Sequence, residues 1–340
     1  MRKSIAIIIT SILVLSGCNK QQSVSDRLLN EVEKAIAINP DSASNLLKGI
    51  SSPEKLDNKT FARWCMLSGK ITDEIFNSIL PTYQLERAYD WYSSHGSPDE
   101  QVQILIYLGR SYFADGDYDK AMSIYTNALD IAEKNKLNNL TGYTYSYIGD
   151  LYGEKFIRTE AIKRYKAAAE CFKKENNTDS YACALRDVGR EYACIDSLSR
   201  ALKILTIADS VARNTKNIEV TASIDNALGN IYAMQNKYDK AEEYFLKALV
   251  GRETMPDYMA LIDLYIASGA INKAQELLSK ILQDNPKYTY SIKYLYYQIY
   301  NEEKNYKEAL TNLKEYVEIT DSIIYADNQS KILNLSLIHI

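Results

Sequence analysis

The chain has 340 residues, 46% hydrophobic and 25% charged, an ordinary globular composition long enough for two compact domains or one long repeat array. Its 40 basic and 44 acidic side chains leave a net charge of -4, which does not supply the basic face that phosphate backbones require and so argues against nucleic acid as a partner. Tyrosine is the outlier, 28 against 6 phenylalanines and 2 tryptophans. Such use suits a thin structure whose aromatic bodies pack while their hydroxyls still reach water.

The first element is an address. In MRKSIAIIITSILVLSGC, Arg2 and Lys3 precede an apolar run from Ile5 to Leu15 and small residues before Cys18. This is the layout of a secretory signal, and the run is too short for a permanent transmembrane helix. Leu15-Ser16-Gly17-Cys18 resembles the bacterial lipobox. That resemblance implies removal of a signal peptide, 1–17, a lipidated Cys18 at the new N-terminus, and a linker over 18–23. The expected place is the bacterial cell envelope, on the outer membrane or a periplasmic face; Asn19, where an aspartate would retain the protein inside, favours the outer membrane. Each buried acyl methylene would contribute about 0.8 kcal/mol to the anchor.

Residues 24–101 read as two helix pairs. DRLLNEVEKAIAINPDSASNLLKGI splits at Asn39-Pro40; Thr60 to Ile71 and Leu85 to Ser94 form the next pair. These are expected to be degenerate hairpins capping the array, with Gly96 after His95 giving a left-handed helix end.

From Ile106 onward the sequence repeats itself. Gly109, Gly149, Gly189 and Gly229 fall forty residues apart, each preceded by an aliphatic residue and followed three later by Tyr112, Tyr152, Tyr192 or Tyr232. Twelve past each glycine stands Ala121, Ala161, Ala201 or Ala241, and seven past each alanine another, Ala128, Ala168, Ala208 or Ala248. Tyr125, Tyr165, Leu205 and Phe245 lie between the two alanines. This pattern resembles a forty-residue variant of the tetratricopeptide repeat. The resemblance implies an all-α fold, a right-handed α-solenoid of stacked antiparallel helix hairpins. Small residues let paired helices approach, and a larger side chain there would overpack by roughly 1 to 3 kcal/mol. Six repeats are expected, at about 102–135, 142–175, 182–215, 222–254, 255–288 and 290–323; in the last two, Ile262 and Tyr297 replace the glycine. All six prolines fall at expected helix boundaries, as their missing N–H demands. Residues 324–340 begin a further helix and stop without a cap, and the terminal LSLIHI reads as a translated artefact, so a truncated gene product is expected.

Little in the chain suggests catalysis. Of two histidines, His339 lies in the doubtful tail and His95 has no nucleophile nearby; a helix-end histidine compensates the helix dipole. No phosphate loop, His-Glu-x-x-His or paired Cys-x-x-Cys occurs, so a non-enzymatic protein with no cofactor and no metal is expected. Cys183 and Cys194 are eleven residues apart on one helix, about 16 Å, too far to bridge. Cys171 and Cys183 flank a turn and could pair or stay free thiols.

In a tetratricopeptide stack the first helices line a concave groove, and the resemblance implies that the position after the glycine faces it. Here those residues are Arg110, Asp150, Arg190 and Asn230, with Arg186 and Asn226 one turn before the last two. Arginine grips carboxylates with two parallel bonds and asparagine matches a peptide backbone, so the expected partner is an extended protein or peptide segment bearing acidic groups or a free C-terminus. The plainer reading is a solvated inner face with Arg186 and Arg190 paired to nearby carboxylates. Beside a lipid-anchored scaffold, two other functions fit: the periplasmic sensor half of a membrane-bound regulator, and a glycan-binding outer-membrane lipoprotein.

Overall fold

The computed structural model describes residues 24–75, 79–284 and 289–338, and over them the chain is helix and turn with no strand. After α1, over 24–36, come α2 (Pro40–Leu47), a 3-10 turn at Pro53–Lys55, α3 (Asn58–Ile75), α4 (Thr82–His95), α5 (Pro98–Ala114), α6 (Tyr118–Lys134), α7 (Asn138–Glu154) and α8 (Arg158–Lys174). Then follow α9 (Thr178–Cys194), α10 (Leu198–Thr215), α11 (Ile218–Met234), α12 (Tyr238–Gly251), α13 (Met255–Ala267), α14 (Ile271–Asp284), α15 (Thr289–Glu302) and α16 (Tyr306–Ile338). The fold class is the expected all-α solenoid type. Two compact units divide it, Met1–Ala184 and Leu185–Ile340, with the boundary inside α9.

A twenty-residue period, finer than the one visible in the sequence, governs the centre. Helices start at Pro98, Tyr118, Asn138, Arg158, Thr178, Leu198, Ile218 and Tyr238. Each of the first seven is followed by one residue in the left-handed region: Gly116, Lys136, Phe156, Asn176, Asp196, Lys216 and Asn236, with φ from 56 to 79°. Six of these turns close alike. Asp117 N–H donates to the Tyr112 carbonyl at 2.9 Å, and Lys237 N–H to the Tyr232 carbonyl at 2.9 Å, the six-to-one bond that ends a helix on a left-handed residue. A seventeen-residue helix and a three-residue turn thus make one half-repeat.

Within each hairpin the small residues do what their size allows. A Cβ on Gly109 would lie 2.3 Å from the Tyr125 ring, and one on Gly189 2.6 Å from Leu205 Cγ. Ala121, Ala128, Ala201 and Ala208 are fully buried on the facing helices. Over this floor sit Tyr125, Phe172, Leu205 and Phe245, each at most 2% exposed; burying a side chain such as Phe245 contributes about 2 kcal/mol.

In the first unit, α3 packs on α4 and α5, α5 on α6 and α7, and α7 on α8. The α3/α4 hairpin is in register with the repeats, because Gly69, Leu85 and Ala88 stand forty residues before Gly109, Tyr125 and Ala128. Pro81 occupies the place of Ala121, and α4 accordingly starts only at Thr82. Local chemistry marks the other starts. Asn39 caps α2 by accepting from Ser42 N–H at 2.9 Å, and Asp57 accepts from the N–H groups of Lys59 and Thr60. Ser97 and Glu100 form a capping box on α5, with Pro98 as its first residue. Gly96 corrects an expectation: it is extended, at φ -83° and ψ 153°. The chain enters the Ser97 cap at once and leaves no room for a left-handed turn, and glycine is needed there because a Cβ would crowd Tyr92 at 2.8 Å.

In the second unit the period holds to Tyr238 and then breaks. α12 ends after fourteen residues, and α13 opens with Pro256 in its first turn. The break is pinned by Asp257, fully buried, whose carboxylate accepts from Arg252 Nε and Nη2, both at 2.9 Å, from the Thr254 hydroxyl, and from Asn226 Nδ2 at 2.9 Å. α16 runs unbroken through Tyr306–Ile338, so the second helix of the last hairpin and the C-terminal segment are one helix. Among the described residues no helix is long and apolar enough to cross a membrane.

Candidate functional site

In the first unit the first helices of three hairpins, α3, α5 and α7, enclose a cavity of about 490 Å3. Its polar lining comes from Lys70, Thr72 and Asp73 on α3, the Thr72 hydroxyl already given to the Ser68 carbonyl, and from Gln103, Tyr107 and Arg110 on α5. Tyr143 and Tyr147, one turn apart on α7, stand with Leu140, Ile36 and Ile106 as its apolar side. The helical period explains the gathering. Arg110 follows Gly109 as Lys70 follows Gly69, while Tyr107 and Tyr147 both lie two residues before a repeat glycine.

Arg110 is held in place before any ligand arrives. Its Nη1 donates to Asp73 Oδ1, and its guanidinium lies over the Tyr147 ring, 5.5 Å from the centroid. The Tyr107 hydroxyl donates to Asp73 Oδ2 at 3.0 Å, so both carboxylate oxygens are engaged. Tyr147 in turn stacks on Tyr125, centroids 5.7 Å apart, and Tyr143 meets Phe172 edge-on at 4.9 Å. Burial pushes the Tyr107 and Tyr147 hydroxyls well above the phenol range, which keeps them neutral donors. Burial pulls Arg110 down, but Tyr147 and Asp73 more than offset it and hold the guanidinium above its ordinary value. Lys70 and Gln103 make no hydrogen bond or ion pair among the described residues.

The other expected groove residues are placed differently. Asp150 is exposed on α7 and accepts from the Tyr165 hydroxyl at 2.6 Å. In the second unit, Arg186 forms a two-pronged bond to its neighbour Asp187, at 2.9 and 3.0 Å, and reaches Ser223 Oγ at 3.0 Å. Arg190, 66% exposed, shares the same Asp187 at 3.7 Å. Asn226 is bound to Asp257, and Asn230 donates to the carbonyl and side-chain oxygens of Asn226 at 3.0 Å. Arg186 with Arg190 and Asn226 with Asn230 are thus brought together as pairs, each on a protein partner. The residues missed from sequence are Lys70, Asp73, Gln103, Tyr107, Tyr143 and Tyr147; the signal for Lys70 was the glycine column continuing back to Gly69.

Cys18 lies outside the described residues. Cys65, Cys171, Cys183 and Cys194 are thiols not joined in a disulfide, and burial raises Cys171 above the usual thiol value. His95 ends α4, its Nδ1 3.0 Å from the Trp91 carbonyl and its ring stacked on Trp91. Among the described residues no three His, Cys, Asp or Glu side chains are grouped to hold a metal ion.

The tetratricopeptide repeat family model matches residues 105–138 and 221–255. No curated protein matches the chain. Among solved structures the chain is similar to a Rap protein complexed with competence and sporulation factor, at 18% identity and a TM-score of 0.68, over 90% of this chain and 88% of that one. It is similar also to the apo form of RapI, at 14% and 0.57 over 92% and 93%, and to a tetratricopeptide repeat protein from Parabacteroides merdae, at 16% and 0.54 over 76% and 93%. At such identities the likeness is one of fold. Two matched repeats, hairpins closed on glycine and alanine, and this likeness of fold identify the chain as a tetratricopeptide-repeat protein.

Proposed function

We propose that this protein is a non-enzymatic scaffold, lipid-anchored through Cys18 in the bacterial cell envelope, that holds an extended protein segment against its first helices. A repeat fold of this kind suits protein interaction. The observation that carries the finer reading is the α3–α5–α7 cavity, where Arg110 is pre-positioned and Lys70 and Gln103 have unspent donors. Preorganised donors cost less to engage than donors that must first be ordered. The Rap structure complexed with competence and sporulation factor supports use of this fold to hold a ligand. The anchor rests on the leader and on the Leu15-Ser16-Gly17-Cys18 sequence.

A photo-crosslinking residue at Gln103 tests the groove in living cells, with the same residue at exposed Thr126 on α6 as control. The expected result is a discrete protein adduct from Gln103 alone; equal labelling from both sites, or none, refutes the groove. For the anchor, Cys18→Ser is expected to abolish incorporation of labelled palmitate and release the chain from the membrane fraction. Unchanged incorporation refutes lipidation at Cys18.

A further inference from the structure

Resting on the reading that the groove holds a protein segment, we propose that the α3–α5–α7 cavity recognises an internal acidic stretch of its partner, seating one aromatic side chain beside a carboxylate. Charge decides the first half. The wall carries two cationic side chains, Lys70 and Arg110, and one carboxylate, Asp73, a formal excess of one positive charge. Asp73 is already neutralised, since Arg110 engages one oxygen and the Tyr107 hydroxyl the other. What remains unspent is almost all donor: Lys70, the Gln103 amide, and the N–H groups of Arg110 other than the one given to Asp73. A ligand that satisfies this wall supplies acceptors, and a carboxylate supplies them with the opposite charge.

Shape and apolar lining decide the second half. Across from the donors stand Tyr143, 37% exposed, with Leu140, Ile36 and Ile106. Tyr147 cannot offer a free face, being covered by Tyr125 on one side and by Arg110. Tyr143 therefore provides the aromatic wall, held edge-on by Phe172 and hydrogen-bonded at 3.0 Å to Ser180 on α9. A cavity of about 490 Å3 takes a large ring and its flanking backbone, and a ring packed against tyrosine and aliphatic walls is the kind of buried anchor that dominates binding energy.

The test uses the detergent-solubilised full-length protein and fluorescence anisotropy. The probe is a labelled peptide blocked at both ends, with tryptophan between two glutamates in a glycine-serine frame; companion peptides carry Glu→Gln, Trp→Ala or an unblocked C-terminus. Binding of the acidic probe is expected to weaken about tenfold with either change to the peptide, to weaken as salt is raised, and to be indifferent to unblocking. Lys70→Ala, which breaks no bond within the fold, is expected to weaken the Glu peptide about tenfold and leave the Gln peptide unchanged. Equal affinity for the Glu and Gln peptides, a Lys70→Ala protein that binds as before, or a gain that appears only with the free C-terminus would overturn the proposal. Should the Gln103 crosslink in cells map to a neutral or basic stretch, the proposal fails while the groove survives; no adduct at Gln103 removes both.

Discussion

Replacing Gly109 by alanine sets two effects of opposite sign against each other. Helix propensity alone stabilises a Gly→Ala change in a helix interior by about 1 kcal/mol. Packing opposes it, because the new Cβ would lie 2.3, 2.6 and 2.9 Å from three ring atoms of Tyr125. Tyr125 is 1% exposed and its ring lies parallel, within 14°, to the stacked ring of Tyr147, which leaves it little freedom to swing aside. Overpacking of this severity costs about 3 kcal/mol, so the net expectation is a loss of about 2 kcal/mol. Repeat arrays lose two-state cooperativity, so the assay is hydrogen exchange of the α5 and α6 amides, with urea unfolding as a second measure. A double-mutant cycle isolates the contact: Gly109→Ala is expected to cost much less in a Tyr125→Ala background, where the ring is gone. Gly116→Asn is the control. Its φ is 79° with nothing within 4 Å of a Cβ, and asparagine already fills the sister turns at Asn176 and Asn236, so it should be near neutral. A Gly109→Ala protein more stable than the parent, or an additive cycle, refutes the packing account of the repeat glycine.

Three further outcomes follow from other sites. Arg252→Ala leaves the buried Asp257 carboxylate with only Thr254 and Asn226, and should cost about 3 kcal/mol, read as loss of exchange protection and new proteolysis between α12 and α13. Phe156 adopts φ 59° while 78% exposed, and Phe156→Asn relieves a left-handed bulky residue without losing burial; about 0.5 kcal/mol of stabilisation is expected, seen as a slightly raised Tm. The Glu242 carboxylate is held below its ordinary value of 4.5, chiefly by the bond from Lys273 and then by the Tyr265 hydroxyl. Its contribution is therefore complete above pH 4.5 and lost as pH falls through the lowered folded value, so Glu242→Gln should flatten the acid limb of the stability curve relative to the parent; identical acid limbs refute it.

Some of this was written plainly in the residues, and some was not. Glycine and alanine columns are legible because close helix approach admits few side chains, and Gly109, Ala121 and Ala128 stand where the spacing put them. The half-period of twenty is illegible because the left-handed turn residue is fixed by backbone hydrogen bonds and is variously glycine, lysine, phenylalanine, asparagine or aspartate. Arg110 could be picked out from its column. Its partner Asp73 could not, since it lies in the preceding hairpin, whose membership in the repeat is blurred by Pro81 and by the missing first turn of α4. Asn226 looked like a ligand residue for a sound reason, its column, but the break after α12 brings Asp257 against it.

Equivalent columns therefore do not imply equivalent duties. A polar side chain on the first-helix face is available to a ligand only to the extent that its bonds are not already spent, because breaking a partly buried pair to make another returns little free energy. By that measure Arg186, with both prongs on Asp187 and a third bond to Ser223, is committed to its own fold, and so are Asn226 and Asn230. Arg190 is open but solvated, where a single ion pair is worth little. Arg110 is the intermediate case: one donor fixes it to Asp73, the ring of Tyr147 supports its plane, and its remaining donors lie beside Lys70 and Gln103 in an aromatic-walled recess. Rigidity with unspent valence is what distinguishes a recognition residue from a structural one, and in the first unit it coincides with the cavity.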